Sequence, residues 1–216
     1  MKTAVIISGG NLNLGFALDF LKKNTCEILI GADKGIRFLR QQGIMPTHIV
    51  GDFDSASDED LEFFKRFTDI PIQIFNPVKD FTDTQIALEL ALKLGAKQIY
   101  ILGGTGTRLD HVVANLKILE LALKRGAVCF LVDVNNRIRL TANSVTIGRE
   151  EQYGKYVSLF SFGGPVRGIT LKGFYYLLTN YDMFPGDAVG VSNEITAENG
   201  EISFEKGLLL VIESKD

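Results

Sequence analysis

Apolar and polar residues follow two different rhythms along the 216-residue chain. Up to about residue 134, short apolar runs rich in Val, Ile or Phe alternate with stretches whose apolar residues recur at three- and four-residue spacing. The runs are TAVIIS (3–8), CEILIGA (26–32), THIVGD (47–52), IPIQIF (70–75), QIYILGG (98–104) and AVCFLV (127–132). Their near-continuous hydrophobicity predicts strands buried in a parallel sheet. Between them, NLGFALDFLKKN, KGIRFLRQQG, DEDLEFFKRF, TDTQIALELALKLG and DHVVANLKILELALKRG carry helical periodicity. In the last of these the pattern predicts one apolar stripe through Leu109, Val112, Val113, Leu116, Leu119 and Leu123. Strands alternating with helices imply right-handed crossovers and an α/β domain with a doubly wound, mostly parallel, Rossmann-like sheet. Ligands of such sheets bind at the carboxyl ends of the strands.

Beyond residue 135 the rhythm changes. RIRL, SVTIG, KYVSLFSF, RGITLKG, YYLLTN, AVGVSNEIT, EISFEKG and LLLVIES are short segments punctuated by Gly, Pro and Asn, and none is a helical stretch of ten residues. This predicts an all-β domain, a small sandwich. The chain therefore divides into residues 1–134 and 135–216, joined closely around DVNNR, with no internal repeat and no low-complexity linker.

Composition narrows the classes of function. A chain of this size buries roughly 70% of its extended surface, so a substantial core is expected. The net charge of −3 and the scattered Lys and Arg give no basic stripe, which argues against nucleic acid as a partner. Cys26 and Cys129 lie inside apolar runs without metal-ligand spacing, as small buried hydrophobes of a reducing cytosol would. The opening MKTAVIISGGNLN has an apolar run too short for a signal peptide or a membrane span. A soluble cytoplasmic protein with no membrane partner is expected.

Candidate chemistry collects at the ends of the predicted strands. Asp52 and Asp54, in GDFDS, are spaced by two, which on an extended chain directs both carboxylates to one side. Two carboxylates about 4 Å apart repel by roughly 4 kcal/mol at an effective dielectric of 20, so the pair fits either a cation site or an acidic surface loop leading into the next helix. Asp80 and Asp83, in KDFTD, flank the start of a helix; there Thr82 with Gln85 forms a capping box and Asp83 complements the helix dipole, a role compatible with metal ligation. ILGGTGTRLDH runs from a strand through glycines 103, 104 and 106 into a helix, an arrangement that lets backbone N–H groups meet an anion. It matches neither the Walker nor the dinucleotide-binding spacing. Arg108, close to Asp110, is a planar donor suited to phosphate oxygens. His111 fits either a general base or a packed helix residue, and His48 carries less signal still. Gly9 and Gly10 after the first strand either touch phosphate or turn the chain, and Asp33 either caps a helix or adds an acid to the same cleft. Carboxylate donors without His or thiolate suit Mg²⁺ or Mn²⁺, and with a glycine loop and an Arg they suit a polyphosphate.

Taken in order, ADKG, GDFDS, KDFTD, GGTGTRLDHVVANL and GVSNE, the last at 190–194, resemble the motifs of bacterial thiamine pyrophosphokinases over nearly the whole chain. The resemblance implies transfer of the pyrophosphoryl group of ATP, the co-substrate, to the primary hydroxyl of thiamine, giving thiamine diphosphate and AMP. It implies Mg²⁺ held by Asp52, Asp54 and Asp83, and a nucleotide site including Asp33, Thr82, Gly103, Gly104, Thr105 and the pair Arg108 and Asp110. Asp80 or Asp110 would orient the thiamine hydroxyl. It further implies a homodimer whose β domains contribute Tyr176, Ser192 and Asn193 to the thiamine site of the other subunit, with Tyr176 where animal relatives carry a stacking tryptophan; the sequence does not distinguish Tyr176 from Tyr175 in that role. Residues 1–134 would then be the catalytic, ATP- and Mg²⁺-binding domain, and residues 135–216 the thiamine-binding and dimerisation domain. The competing classes are a metal-dependent nucleotide phosphohydrolase and a non-catalytic nucleotide sensor.

Overall fold

The computed structural model describes residues 1–53, 58–74 and 81–216. The chain forms two compact units, Met1–Val134 and Asn135–Asp216.

In the first unit the elements alternate as β1 (Thr3–Ile7), α1 (Leu14–Lys23), β2 (Ile28–Ala32), α2 (Gly35–Gln41), β3 (His48–Gly51), α3 (Asp58–Lys65), β4 (Ile72–Ile74), α4 (Asp83–Lys93), β5 (Gln98–Leu102), α5 (Leu109–Lys124) and β6 (Val128–Val132). The six strands run parallel in the order β6-β5-β1-β2-β3-β4, so β1 lies mid-sheet with β5 and β2 on either side. The chain reverses its direction of strand addition there, the switch point at which doubly wound sheets open a crevice. β1 and β2 are almost wholly buried, as their unbroken apolar runs require. β4 departs from that expectation. Among the described residues it has a single strand neighbour, and its Gln73 and Ile74 are exposed, so Ile72–Ile74 lies at a sheet edge rather than in a core strand.

The apolar stripe expected on α5 is also corrected. The buried residues of α5 are Asn115, Ile118, Leu119 and Ala122, facing β6 and α4, whereas Leu109 is 74% and Val113 50% exposed. The helix turns Asn115 and Ala122 inward, where Asn115 bonds to Gly104 O. α2 and α3 are tied by Asp60, fully buried, which accepts from Arg37 Nε (3.1 Å) and Arg40 Nε (2.6 Å). Such a buried acid is tolerated only when paired and hydrogen-bonded.

The second unit is all β, with one set of antiparallel strands in the order β12 (Asn193–Glu194), β9 (Tyr156–Ser161), β14 (Leu209–Ser214) and β7 (Asn136–Thr141). The other set is β11 (Tyr181–Met183), β10 (Val166–Lys172), β13 (Asn199–Ser203) and β8 (Val145–Gly148). Val157, Leu159, Leu209 and Val211 of the first set and Val145, Ile169, Leu171 and Ile202 of the second share one core, the sandwich the alternation implied. Two segments read as strands are mostly loop. YYLLTN has only an isolated bridge beside it, between Phe174 and Ile195, and AVGVSNEIT contributes only the two residues of β12 and Ile195 of that bridge. Glu213, on the core-facing side of β14, is buried and held by both arms of Arg137 and by Tyr153 N–H.

Cys129 is buried and Cys26 half-buried, both as free thiols, and burial pushes both thiols up. Among the described residues no helix is long and apolar enough to cross a membrane.

Candidate active site

The loops after β1, β2, β3 and β5 and the start of α4 surround one cleft of about 500 Å³, within the range of small-molecule sites. Two of its walls are glycine turns packed back to back. Ser8 N–H donates to Leu102 O (2.8 Å) and Gly10 N–H to Gly103 O (2.9 Å). A β-carbon on Gly10 would stand 2.3 Å from Gly103 O, and one on Gly103, whose φ is +70°, would stand 2.5 Å from Ser8 O. Both positions therefore need glycine for the mutual approach of the two turns, a packing reason that sequence alone merged with phosphate cradling. The turns are pinned by side chains. Asn115 Nδ2 donates to Gly104 O at 2.7 Å, and the hydroxyls of Ser8 and Thr84 share a buried hydrogen bond of 2.6 Å that ties the first glycine turn to the first turn of α4.

The acids arrive from three loops. Asp33 directly follows β2 in a left-handed backbone conformation (φ +46°), its N–H bonded to Val50 O (3.0 Å). Its Oδ1 is buried with no hydrogen-bond partner among the described residues. Burial, followed by the nearby carboxylates of Asp83 and Asp52, pushes the Asp33 carboxyl above the usual carboxylate range, against a backbone hydrogen bond at Lys34 and the Lys34 charge. Asp52 lies at the end of β3. The next residue, Phe53, is buried and left-handed (φ +58°), and the same-side placement expected of Asp52 and Asp54 falls outside the described residues. Asp83 opens α4. Thr82 caps that helix, its Oγ1 accepting from Gln85 N–H (3.2 Å), but the Gln85 side chain turns to Glu89 (3.1 Å) instead of closing the capping box. Asp54 and Asp80 lie outside the described residues. Among the described residues, no three His, Cys, Asp or Glu side chains are grouped closely enough to hold a metal ion.

Gly103, Gly104, Thr105, Arg108 and Thr82 line the same cleft as Asp33, Asp52 and Asp83. Asp110 stands outside the lining and instead grips Arg108 with both oxygens, Nε to Oδ1 at 3.2 Å and NH2 to Oδ2 at 2.5 Å. The pair is largely exposed. Its hydrogen bonds hold the Asp110 carboxyl below its ordinary range and raise the Arg108 guanidinium. His111 also lines the cleft and is exposed, so it is not the packed helix residue that its apolar neighbours suggested. Sequence reasoning passed over Asn11, Lys34, Phe81, Thr84 and Asn115, which all line the cleft. Each adjoins or lies within a motif that was read, so the signal was position at a strand end or on the first turns of a helix rather than residue type.

In the second unit Tyr175 and Tyr176 are 68% and 62% exposed, with rings in edge-to-face contact at 4.9 Å. Neither is core packing. Ser192 is exposed in a left-handed conformation (φ +57°), its N–H bonded to Ser158 Oγ (3.0 Å). Asn193 is buried. Its Oδ1 accepts from Tyr176 N–H (2.9 Å) and Glu194 N–H (2.9 Å), and its Nδ2 donates to Tyr176 O (2.7 Å).

Fold and cleft together define a doubly wound α/β domain with an acidic, glycine-walled crevice at its strand ends, followed by a β sandwich. Residues 21–131 match the family model of the thiamin pyrophosphokinase catalytic domain, and residues 143–209 that of the thiamin pyrophosphokinase vitamin B1 binding domain. The chain belongs to the thiamin pyrophosphokinase family. It is 33% identical to the thiamine pyrophosphokinase of Bacillus subtilis, with all of both chains covered. The crystal structure of thiamine pyrophosphokinase from Bacillus subtilis superposes with a TM-score of 0.89 at 32% identity, covering all of both chains. That from Geobacillus thermodenitrificans gives 0.83 at 30% identity, over all of this chain and 98% of the other. The thiamin pyrophosphokinase from Candida albicans, 19% identical, matches in fold with a TM-score of 0.82 over 99% of this chain and 89% of its own.

Proposed function

We propose that the protein transfers the pyrophosphoryl group of ATP to the primary hydroxyl of thiamine, giving thiamine diphosphate and AMP. Membership of the family supports the reaction, and one observation carries its location: carboxylates from three strand-end loops and two interlocked glycine turns share a single ligand-sized cleft. In the transfer, the thiamine hydroxyl oxygen forms a bond to the β-phosphorus, the bond from that phosphorus to the α-β bridging oxygen breaks, and AMP leaves with that oxygen. Little covalent help is required, and positioning with charge neutralisation does most of the work.

A divalent ion fits this donor set. The cleft offers hard carboxylate oxygens without thiolates, and Asp33 keeps a buried oxygen, unpartnered among the described residues, beside two further acids, an arrangement that a cation would relieve. Asp52, Asp54 and Asp83 would hold Mg²⁺, or Mn²⁺, which would supply charge neutralisation for the phosphates. The residues of the chain do the rest. The glycine turns place backbone N–H groups along the nucleotide, Thr82 fixes the start of α4 and so the Asp83 carboxylate, and Asp110 holds Arg108 at the cleft rim. Asp80 or Asp110 would orient the thiamine hydroxyl. The thiazolium cation is drawn to the acids, and Tyr176 with Ser192 supplies a face for its rings, with Asn193 holding the Tyr176 backbone in place. The protein would work in the cytoplasm, where ATP is available, as a homodimer in which the sandwich domain serves the partner subunit.

The test is a coupled assay for AMP with Mg²⁺ and ATP, with and without thiamine. AMP formed only with thiamine, matched by thiamine diphosphate, is the expected result. AMP or phosphate released without thiamine would mark a hydrolase, and ATP binding without turnover a sensor; both would reject the transferase reading.

A further inference from the structure

We propose that Lys34 is the side chain that binds the phosphate chain of the nucleotide; this rests on the reading of the cleft as an ATP site. A crevice holding Asp33, Asp52 and Asp83 repels a polyanion, and backbone amides carry no net charge to offset that repulsion. A cationic side chain would share that work with the metal. Among the described residues of the lining the strong bases are Arg108 and Lys34.

Arg108 is already engaged. Two of its nitrogens are bonded to the two oxygens of Asp110, so turning to a phosphate means giving up a bidentate pair, and its charge is largely neutralised where it stands.

Lys34 is in the opposite situation. It makes no ion pair and no side-chain hydrogen bond among the described residues, although an exposed ammonium next to Asp33 could have been expected to pair. Its stem rises from the start of α2 against the first glycine turn: a β-carbon on Gly9 would lie 3.1 Å from Lys34 Cβ and 3.4 Å from Asp33 Oδ2. The absence of a side chain at Gly9 thus leaves the Lys34 stem and the Asp33 carboxylate side by side over a turn that lines the cleft. A lysine suits this place because a compact ammonium on a flexible stem can follow a phosphate chain that changes shape during transfer. The cleft then divides the work. Acids hold the metal on one side, the glycine turns line the chain, Lys34 carries the charge contact, and Arg108 stays with Asp110 at the rim.

Calorimetric binding of ATP, ADP and AMP in the presence of Mg²⁺ tests this on the wild type, Lys34→Met, Lys34→Arg and Arg108→Ala. Because Lys34 is exposed, the variants should keep the wild-type melting temperature. Lys34→Met, which retains an apolar stem, should weaken ATP and ADP roughly tenfold to a hundredfold, the range of a hydrogen bond to a charged group. AMP should lose far less, Lys34→Arg should recover most of the loss, and Arg108→Ala should weaken ATP less than Lys34→Met does. Wild-type affinity for ATP in Lys34→Met, or an equal loss for all three nucleotides, would overturn the proposal while leaving the transferase reading intact. Conversely, a wild type that binds ATP through Lys34 but forms no AMP with thiamine would sink the transferase reading and leave the Lys34 contact standing.

Discussion

The cleft of the first unit and the Tyr176–Asn193 region of the second treat their polar side chains in opposite ways. In the cleft, Asp33 keeps a buried oxygen without a hydrogen-bond partner among the described residues, and the nearby carboxylates of Asp83 and Asp52 add to the cost of ionising it. In the sandwich, Asn193 spends its amide on the backbone of Tyr176 and Glu194. Buried polar groups left short of partners cost stability, so where a fold tolerates them a ligand is the natural compensation. A buried group whose bonds run to neighbouring backbone is already satisfied without a ligand. Both residues stand in motifs of equal sequence prominence, ADKG and GVSNE, and hydrogen-bond bookkeeping separates them.

Two substitutions probe this contrast. The larger effect on stability is expected for Asn193→Ala, which leaves the N–H groups of Tyr176 and Glu194 and the carbonyl of Tyr176 without their partner at a buried site. A loss of about 1–3 kcal/mol in urea unfolding is expected, with a raised KM for thiamine only through displacement of Tyr176. Unchanged stability with weakened thiamine use would break the contrast, since it would mean the amide meets the ligand directly.

A smaller effect of opposite sign is expected for Asp33→Asn. The Asp33 carboxyl is pushed up in the folded protein, so folding favours its protonated form. That contribution is complete below the ordinary carboxylate pKa of about 4 and is lost as pH rises through the raised value. The amide never ionises, so thermal melts of wild type and variant should diverge as pH rises through that window, with Asp33→Asn becoming the more stable while losing activity. Parallel melting curves across the range would remove Asp33 from the strained cluster.

The architecture was legible because it depends on periodicity. Continuous apolar runs gave parallel strands, and the loss of helical spacing after residue 135 gave the sandwich. What periodicity could not supply was which side of a helix or loop faces inward. On α5, Leu109 and Val113 are left outside while Asn115 turns in to hold Gly104. Similarly, spacing arguments assume a regular backbone, and Phe53 leaves it at the one position between Asp52 and Asp54. YYLLTN is short and apolar enough to be read as a strand, but Asn193 fixes the Tyr176 backbone in a loop by bonds from seventeen residues away, which no local pattern reveals. Asp33, Thr82 and Gly103 were readable because strand ends in a parallel sheet share one edge. Lys34 and Thr84 were not, because neither residue type announces a site.

The central claim is that the acids gathered in this cleft are the seat of catalysis. Asp83→Ala tests it most directly: Asp83 opens a helix whose cap is supplied by Thr82, so the variant should fold and melt close to the wild type while AMP formation from ATP and thiamine falls by roughly a thousandfold or more. A folded Asp83→Ala protein that turns over ATP and thiamine at near the wild-type rate with Mg²⁺ would contradict the account.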